Sequence, residues 1–470
     1  MKALLKKFGS FSIGPVIGAL LGFLTLPLVT HFITLDEYGR TSMFFTAQNT
    51  VSLLVYLGLD QAFVREFHLE KDRMSRLLSN ALRIPLLLSL LLSAVLLIWS
   101  DWFSVLLFDN PGERLAIAAL AALFPFMVIE QFTMLKIRME ENGVLYSLFS
   151  IALKAWTLLF TLLLLFRWER SFRSVILAAT LAEIVNSVTV MAVSLRKMEL
   201  LRQETDLALQ KRMLRYGLPL VPAYAIGWIL SSMDRVMLRA ISSYEELGLY
   251  TGAFKIVAVM GVLQTCFTLF WTPVAIRWFE QKADLRCFDA VCRLVAVLMT
   301  GIGLMVLLCK DLVAFILGES FRSAIYIFPF LLLYPIMYTE SETTMLGISF
   351  SRKTSYNILV SGAAAAVNLA LNMLLIPIWQ GKGAAVATGL SYVVFFWMRT
   401  LVSGKLWHWA PLGPLCLTFC VLLLNCVLHS FVPGAAPYWA SGASLLALAL
   451  LSRKGLTEDL AILKENRAAL

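Results

Sequence analysis

The stretch YGLPLVPAYAIGWILSSMDRVMLRAISSYEELGLYTGAFK, Tyr216–Lys255, decides how this chain folds. It runs on through an apolar segment to Trp271-Thr-Pro273 and ends near Glu280. Two long hydrophobic helices meet here at a short turn, Ser242–Gly248. Three charges are set into them: Asp234 and Arg235 in the first, Lys255 in the second. A charge at membrane depth is costly and needs a partner, a hydrated cavity or a ligand.

Working outward, the same apolar texture recurs from end to end. The chain has 470 residues, 59% of them hydrophobic and only 15% charged. A soluble protein would carry about 25% charge. The mean hydropathy is +0.79. These values specify an all-α polytopic membrane protein. The short alternating segments of a barrel are missing. The net charge of +10 does not point to nucleic acid, because excess Lys and Arg in a membrane protein gather in cytoplasmic loops. The seven cysteines lie in or beside apolar runs of the second half, and the four histidines show no ligand spacing. No metal or cofactor is expected. Lys2, Lys6 and Lys7 precede an apolar run that continues to Ile33. That run reads as an uncleaved first span.

The apolar runs divide into fourteen candidate spans, from Gly9–Ile33 to Tyr438–Leu451. Gly14, Gly18 and Gly22 give the first span a face on which another helix can approach closely. Thr41–Ala62, Ala324–Ile348, Ser355–Ile376 and Ala384–Ser403 are expected as the second, tenth, eleventh and twelfth spans. Placing the N-terminus inside puts most of the Lys and Arg residues in cytoplasmic loops, so both termini are expected there. The basic loop Val64–Arg83, with Arg65, Lys71, Arg73, Arg76 and Arg83, reads as a topology signal. Arg196–Arg215 reads as an amphipathic helix on the inner surface. The tail from Ser452 to Leu470 reads as a second polar helix.

Further ionisable residues fall inside the spans. Lys154 and Glu183 sit near the bilayer midplane at ~1.5 Å per residue. A buried ion pair and a role in transport are both open for them. Glu130, Glu340 and Glu342 lie in the inner halves of their spans, where structural pairing and binding of a coupling cation compete. Asp234 is expected to pair with Lys255 or Arg235, leaving a surplus positive charge where an anionic ligand can sit.

The chain also echoes itself. Phe32-Ile-Thr-Leu-Asp-Glu-Tyr-Gly39 and Ile241-Ser-Ser-Tyr-Glu-Glu-Leu-Gly248 each join the first two spans of a half. The expected lobes are 1–195 and 217–403, each of six spans around a central cavity, with a linker at 196–216 and an extra helix pair and tail at 404–470. An even number of spans per repeat makes the halves parallel, and transporters built that way hold substrate between them.

An ordered set of segments resembles the polysaccharide biosynthesis flippases, the lipid-linked oligosaccharide translocases of the multidrug/oligosaccharidyl-lipid/polysaccharide exporter superfamily. It comprises the opening through Asp36-Glu-Tyr-Gly39, Gly58-Leu-Asp-Gln-Ala-Phe-Val-Arg-Glu66, Tyr216-Gly-Leu-Pro-Leu-Val-Pro222, Asp234-Arg235, Glu246-Leu-Gly-Leu-Tyr250, Trp271-Thr-Pro273, Asn372–Pro377 and Gly381–Thr388. The resemblance covers almost the whole chain. It implies twelve to fourteen transmembrane helices, a substrate of polyprenyl-diphosphate-linked saccharide, and alternating access across the cytoplasmic membrane. Partners of such a flippase would be membrane lipid and the polymerase and glycosyltransferases of the same pathway. On this reading the substrate-binding cations are Arg235, Lys255 and Lys154. Asp234, Glu183, Glu130, Glu340 and Glu342 serve ion coupling or structural pairing. The alternatives are a cation-coupled multidrug antiporter of the same fold, a membrane glycosyltransferase or polysaccharide polymerase, and a scramblase or scaffold. An antiporter needs a net negative, aromatic cavity. An enzyme needs extramembrane catalytic carboxylates or a metal site, and the outer loops here are short. No phosphate-binding loop for ATP hydrolysis occurs.

Overall fold

A computed structural model describes residues 2–70, 73–194 and 203–465. Among these the regular structure is helical, without a strand. The chain divides into two compact units, Met1–Trp228 and Ile229–Leu470. Among the described residues, nine helical stretches are long and apolar enough to cross a membrane, or ten if one bent pair is a single crossing. The chain is a multi-pass membrane protein.

The first unit holds α1 (Lys2–Phe32), α2 (Leu35–Tyr56), α3 (Leu59–Glu66), α4 (Met74–Ile98), α5 (Ser100–Phe108), α6 (Arg114–Met139), α7 (Gly143–Arg167), α8 (Phe172–Ser194) and α9 (Leu207–Gly217). α1 packs along α7, and α6 packs between α4 and α8. The glycine face works at two of its three positions. Gly14 N–H donates to Ser147 Oγ at 3.1 Å. A Cβ on Gly14 would lie 2.6 Å from Ser147 Cα, and one on Gly18 would lie 3.5 Å from Lys154 Cγ. A Cβ on Gly22 would meet nothing within 4 Å.

The second span ends earlier than expected, at Tyr56. Leu57 and Gly58 both take positive φ (48° and 71°) and break the helix before α3. Gly58 lies so close to the Gly217 backbone that a Cβ would clash. This contact seats α9 against the turn. Leu209 and Met213 of α9 are buried among Phe63, Leu77 and Phe132. The apolar face of the described part of the linker therefore packs on protein, and its opposite face is exposed. Residues 195–202, including Met198 and Leu201, lie outside the described residues, as does Lys71.

The basic loop supplies the clamp, a role beyond topology. Arg65 lies over the Tyr216 ring at 4.5 Å. Arg76 pairs with Asp206, and Arg83 binds Thr205 and the Gln203 carbonyl. Arg212 reaches back to Glu66 at 2.8 Å and Glu70 at 3.0 Å. Asp206 caps α9 by accepting from Leu209 N–H at 3.1 Å. That hydrogen bond, together with Arg76, holds its carboxyl below the usual carboxylate range.

Helix α10 (Val221–Ile241) carries the chain into the second unit. There follow α11 (Tyr244–Glu280), α12 (Leu285–Leu308), α13 (Lys310–Ile316), α14 (Phe328–Leu331), α15 (Leu333–Thr344), α16 (Leu346–Phe350), α17 (Ser355–Leu406), α18 (Leu412–Phe431) and α19 (Ala436–Glu465). The expected tenth span is broken. Its 3₁₀ segment Glu319–Tyr326 meets Phe328–Thr344 at 57°. The expected eleventh and twelfth spans are the two arms of α17, which turns at Gln380 (φ 51°). The turn brings Gly383 against the Leu375 carbonyl group. The expected tail helix is a continuation of the last span. Asp459, 2% exposed, pairs there with Arg293 of α12. Residues 466–470 lie outside the described residues.

The sequence echo at an offset of 209 residues has a local cause. Thr34 accepts from Glu37 N–H at 3.3 Å while Glu37 Oε2 accepts from Thr34 N–H at 3.0 Å, a capping box that starts α2. Ser243 likewise accepts from Glu246 N–H at 3.3 Å and starts α11. Glu246 Oε2 instead accepts from Gly381 N–H at 3.0 Å, tying this start to the α17 turn.

The packing of α1 on α7 is testable. Overpacking costs about 1–3 kcal/mol, so Gly14→Ala is expected to lower the melting temperature of the purified protein. Gly22→Ala is expected to leave it unchanged or raise it. Equal melting temperatures for the two variants would remove the close approach at Gly14.

Candidate functional site

The embedded charges divide between the two units. In the second unit the centre is Asp234, 2% exposed on α10. Tyr250 of α11 and Thr388 of α17 each donate a hydroxyl hydrogen bond to Asp234 Oδ2 at 2.6 Å. Asn368 and Asn372, also on α17, donate amide hydrogen bonds to Oδ1 at 3.0 and 2.6 Å. These donors are neutral. They come from α11 and from both arms of α17, on either side of Gln380. Hydrogen bonds to a charged group contribute about 1.5–3 kcal/mol each. Such a cage lets a carboxylate stay ionised at membrane depth.

The expected partners were Lys255 or Arg235, and the hydrogen bonds found on the Asp234 oxygens come from these neutral groups. Neighbouring residues on a helix point about 100° apart. Arg235 accordingly turns away, donating to Ser231 O at 2.7 Å with its guanidinium 4.8 Å from the Phe254 ring centre. Phe254 stacks in turn on Tyr334 at 6.0 Å. Lys255, the residue after Phe254, is exposed on α11. Arg235 thus lies against Phe254, and Lys255 is the next residue along α11.

Among the described residues the Asp234 cage also offers the donor set for a monovalent cation. Its oxygens are the Asp234 carboxylate, the Thr388 and Tyr250 hydroxyls and the two Asn amides. Asn372 Oδ1 is buried and has no hydrogen-bond partner. Hard cations prefer such oxygen ligands. The amide orientations shown satisfy the carboxylate with N–H groups, and turning an amide would present oxygen instead.

Glu340 and Glu342 lie on α15 and are separated in role by the structure. Glu342 pairs with Arg399 at 2.8 Å, both nearly buried. Arg399 also donates to Ser341 Oγ at 3.0 Å and lies over the Phe395 ring at 4.5 Å. Trp271 Nε1 donates to Glu342 O at 3.2 Å. Glu340 is fully buried, and neither carboxyl oxygen has a hydrogen-bond partner.

In the first unit, Glu130 of α6 is 8% exposed and accepts from Asn186 Nδ2 at 2.9 Å. Glu183 on α8 is half-buried and Lys154 on α7 is exposed. Glu183 acts electrostatically on Glu130, and Lys154 acts on both carboxyls. Tyr56 at the end of α2 feels both glutamates and Asp60. Lys154, Glu183 and Glu130 therefore lie within electrostatic reach of one another.

Six contributors were given no site role by the sequence reading: Tyr250, Asn368, Asn372, Thr388, Arg399 and Asn186. Asn368 and Asn372 did leave a signal, two amides one helical turn apart in an apolar run.

Residues 4–279 match the family described as "Polysaccharide biosynthesis protein". No curated protein sequence matches the chain. Among solved structures, one titled "Lipid II flippase MurJ, inward closed conformation" is similar with a TM-score of 0.73 at 12% identity. That match covers 96% of this chain and 99% of the other. An inward-facing multidrug resistance MATE family transporter of the MOP superfamily is similar with a TM-score of 0.56 at 13% identity. It covers 84% of this chain and 94% of the other. An outward-facing transporter of that family gives 0.54 at 15%, covering 85% and 95%. These likenesses show the fold.

The buried ion pair gives a stability prediction. Stranding one charge of a buried pair costs about 3–5 kcal/mol. Arg399→Met is expected to depress the melting temperature strongly, and Glu342→Gln in the same chain is expected to restore most of it. A single variant as stable as wild type would show that the pair is not under strain of burial.

Proposed function

The chain belongs to the polysaccharide biosynthesis protein family, and from that premise we propose that it flips polyprenyl-diphosphate-linked saccharide across the cytoplasmic membrane. A diphosphate–sugar head cannot cross hydrocarbon unaided, because moving an unpaired charge there is prohibitive. A cationic hydrated path lowers that cost, while the polyprenyl tail stays in lipid. No bond is made or broken.

The observation that carries this reading is the division of labour beside Asp234. The carboxylate is satisfied by neutral donors, so Arg235 is not consumed in neutralising it. A guanidinium has five N–H donors in a fork that matches phosphate oxygens. Arg235 and Lys255 are assigned to the diphosphate. Asp234 is assigned to the coupling cation, Na⁺ or H⁺. Glu342 is assigned to structural pairing with Arg399. On the positive-inside rule, the N- and C-termini are cytoplasmic, and the substrate path opens to the two sides of the membrane in turn.

The test is translocation in proteoliposomes of a fluorescent saccharide on polyprenyl diphosphate. Protein-dependent arrival in the far leaflet is expected, together with failure of the same saccharide on neutral polyprenol. Arg235→Ala and Lys255→Ala should each slow the initial rate at least about tenfold, equivalent to ~1.4 kcal/mol of lost interaction, with normal insertion. Wild-type rates in both variants at equal protein level would remove the cationic assignment. Efflux of a cationic dye without saccharide movement would make the protein an antiporter instead.

A further inference from the structure

The first unit carries a charge imbalance that the proposed path does not use. Two carboxyls, Glu130 and Glu183, lie within electrostatic reach of one ammonium, the exposed Lys154. The other titratable groups that reach this site are Tyr56 of α2 and Asp60 of α3, which acts on Tyr56. With both glutamates ionised, the site would hold one more negative charge than positive.

The geometry around Glu130 adds a second, independent observation. Asn186 donates to Glu130 Oε1, but Oε2 has no hydrogen-bond partner. Asn186 Oδ1, on a fully buried residue, also has none. A carboxylate needs donors, which Asp234 has in number and Glu130 lacks. A carboxylic acid O–H at Oε2 would instead be a donor, and Asn186 Oδ1 is an acceptor beside it.

We propose that Glu130 and Glu183 share one proton beside Lys154, and that loading this proton releases Lys154 toward a phosphate-bearing lipid headgroup. This rests on the flippase reading for the identity of the headgroup, but not for the proton. Two carboxyls in one site commonly hold a single proton between them. When the proton is absent, the two carboxylates compete with a phosphate for the same ammonium. When it arrives from the aqueous phase, one carboxylate becomes neutral and the ammonium is less tightly held. Linkage is reciprocal: binding the anion must then draw in a proton. Lys154 would act as the shared element between ion and substrate in this unit, separate from Asp234 in the other.

The experiment has two arms on the full chain in lipid nanodiscs. Infrared difference spectra on changing pH should show a protonated-carboxyl band in wild type that is lost or shifted in both Glu130→Gln and Glu183→Gln. Absence of such a band, or its persistence in both variants, would overturn the shared proton whether or not the protein flips saccharide. In the second arm, geranyl diphosphate is added in weak buffer and proton uptake is followed with a dye. Uptake approaching one proton per bound molecule is expected in wild type. It should fall at least severalfold in the Gln variants and in Lys154→Gln, and recover in Lys154→Arg. Binding without proton uptake would overturn the release of Lys154. So would uptake that is replaced by Na⁺ dependence, which would make the site a metal-cation site. Should the infrared arm succeed while no diphosphate binds, the fault lies in the flippase reading and the release of Lys154 falls with it.

Discussion

The second unit depends on keeping one carboxylate at membrane depth. Asp234 is nearly inaccessible, and an isolated charge there would be untenable. Its four hydrogen-bond donors come from three places in the fold: Tyr250 on α11, Asn368 and Asn372 on one arm of α17, and Thr388 on the other. The cage therefore does more than satisfy Asp234. It fixes α10 against α11 and holds both arms of the α17 hairpin to the same point. The Gln380 turn and the contact of Glu246 with Gly381 close that arrangement at the end of the hairpin. Neutral donors leave the net charge of the cage at minus one, which suits a single cation.

The first unit meets a similar problem differently. Its glutamates are surrounded by fewer donors, and one lysine stands among them. The two units share a helix-start motif, Thr34 to Glu37 and Ser243 to Glu246, yet differ in their polar interiors. The repeat is thus kept in the chemistry of its helix starts and diverges in its buried charges. The similarity in fold to both a lipid II flippase structure and multidrug transporter structures, at 12–15% identity, fits that separation of scaffold from site.

Much of the fold was legible because membrane helices announce themselves by hydrophobic runs. The polytopic helical class and the close approach at Gly14 follow from local rules, while α2 and α11 start earlier than the expected spans because Thr34 and Ser243 cap them. What failed was local as well as distant. The early end at Tyr56 depends on left-handed Leu57 and Gly58 and on Gly217 far along the chain. The linker looked like a surface helix because Leu209 and Met213 are amphipathic spacing, which does not say whether lipid or protein covers them. The basic loop looked purely topogenic because its partners, Asp206 and Tyr216, lie beyond the sixth span. For the site, the charges themselves were visible but their partners were not. Asp234 was expected to find a cation, since opposite charges are the simplest pairing to read. The neutral donors it actually has are at least 134 residues away, apart from Tyr250.

The account therefore turns on whether Asp234 couples an ion to movement of the headgroup or serves only to hold helices together. The most direct measurement is cation flux during transport. Proteoliposomes would carry wild type or Asp234→Asn, confirmed as folded, with saccharide arrival and Na⁺ or H⁺ movement recorded together. The account predicts a cation flux proportional to saccharide flipped in wild type, and loss of both the flux and its driving effect in Asp234→Asn. Saccharide movement at the wild-type rate in Asp234→Asn, with an unchanged response to the gradient, would contradict it.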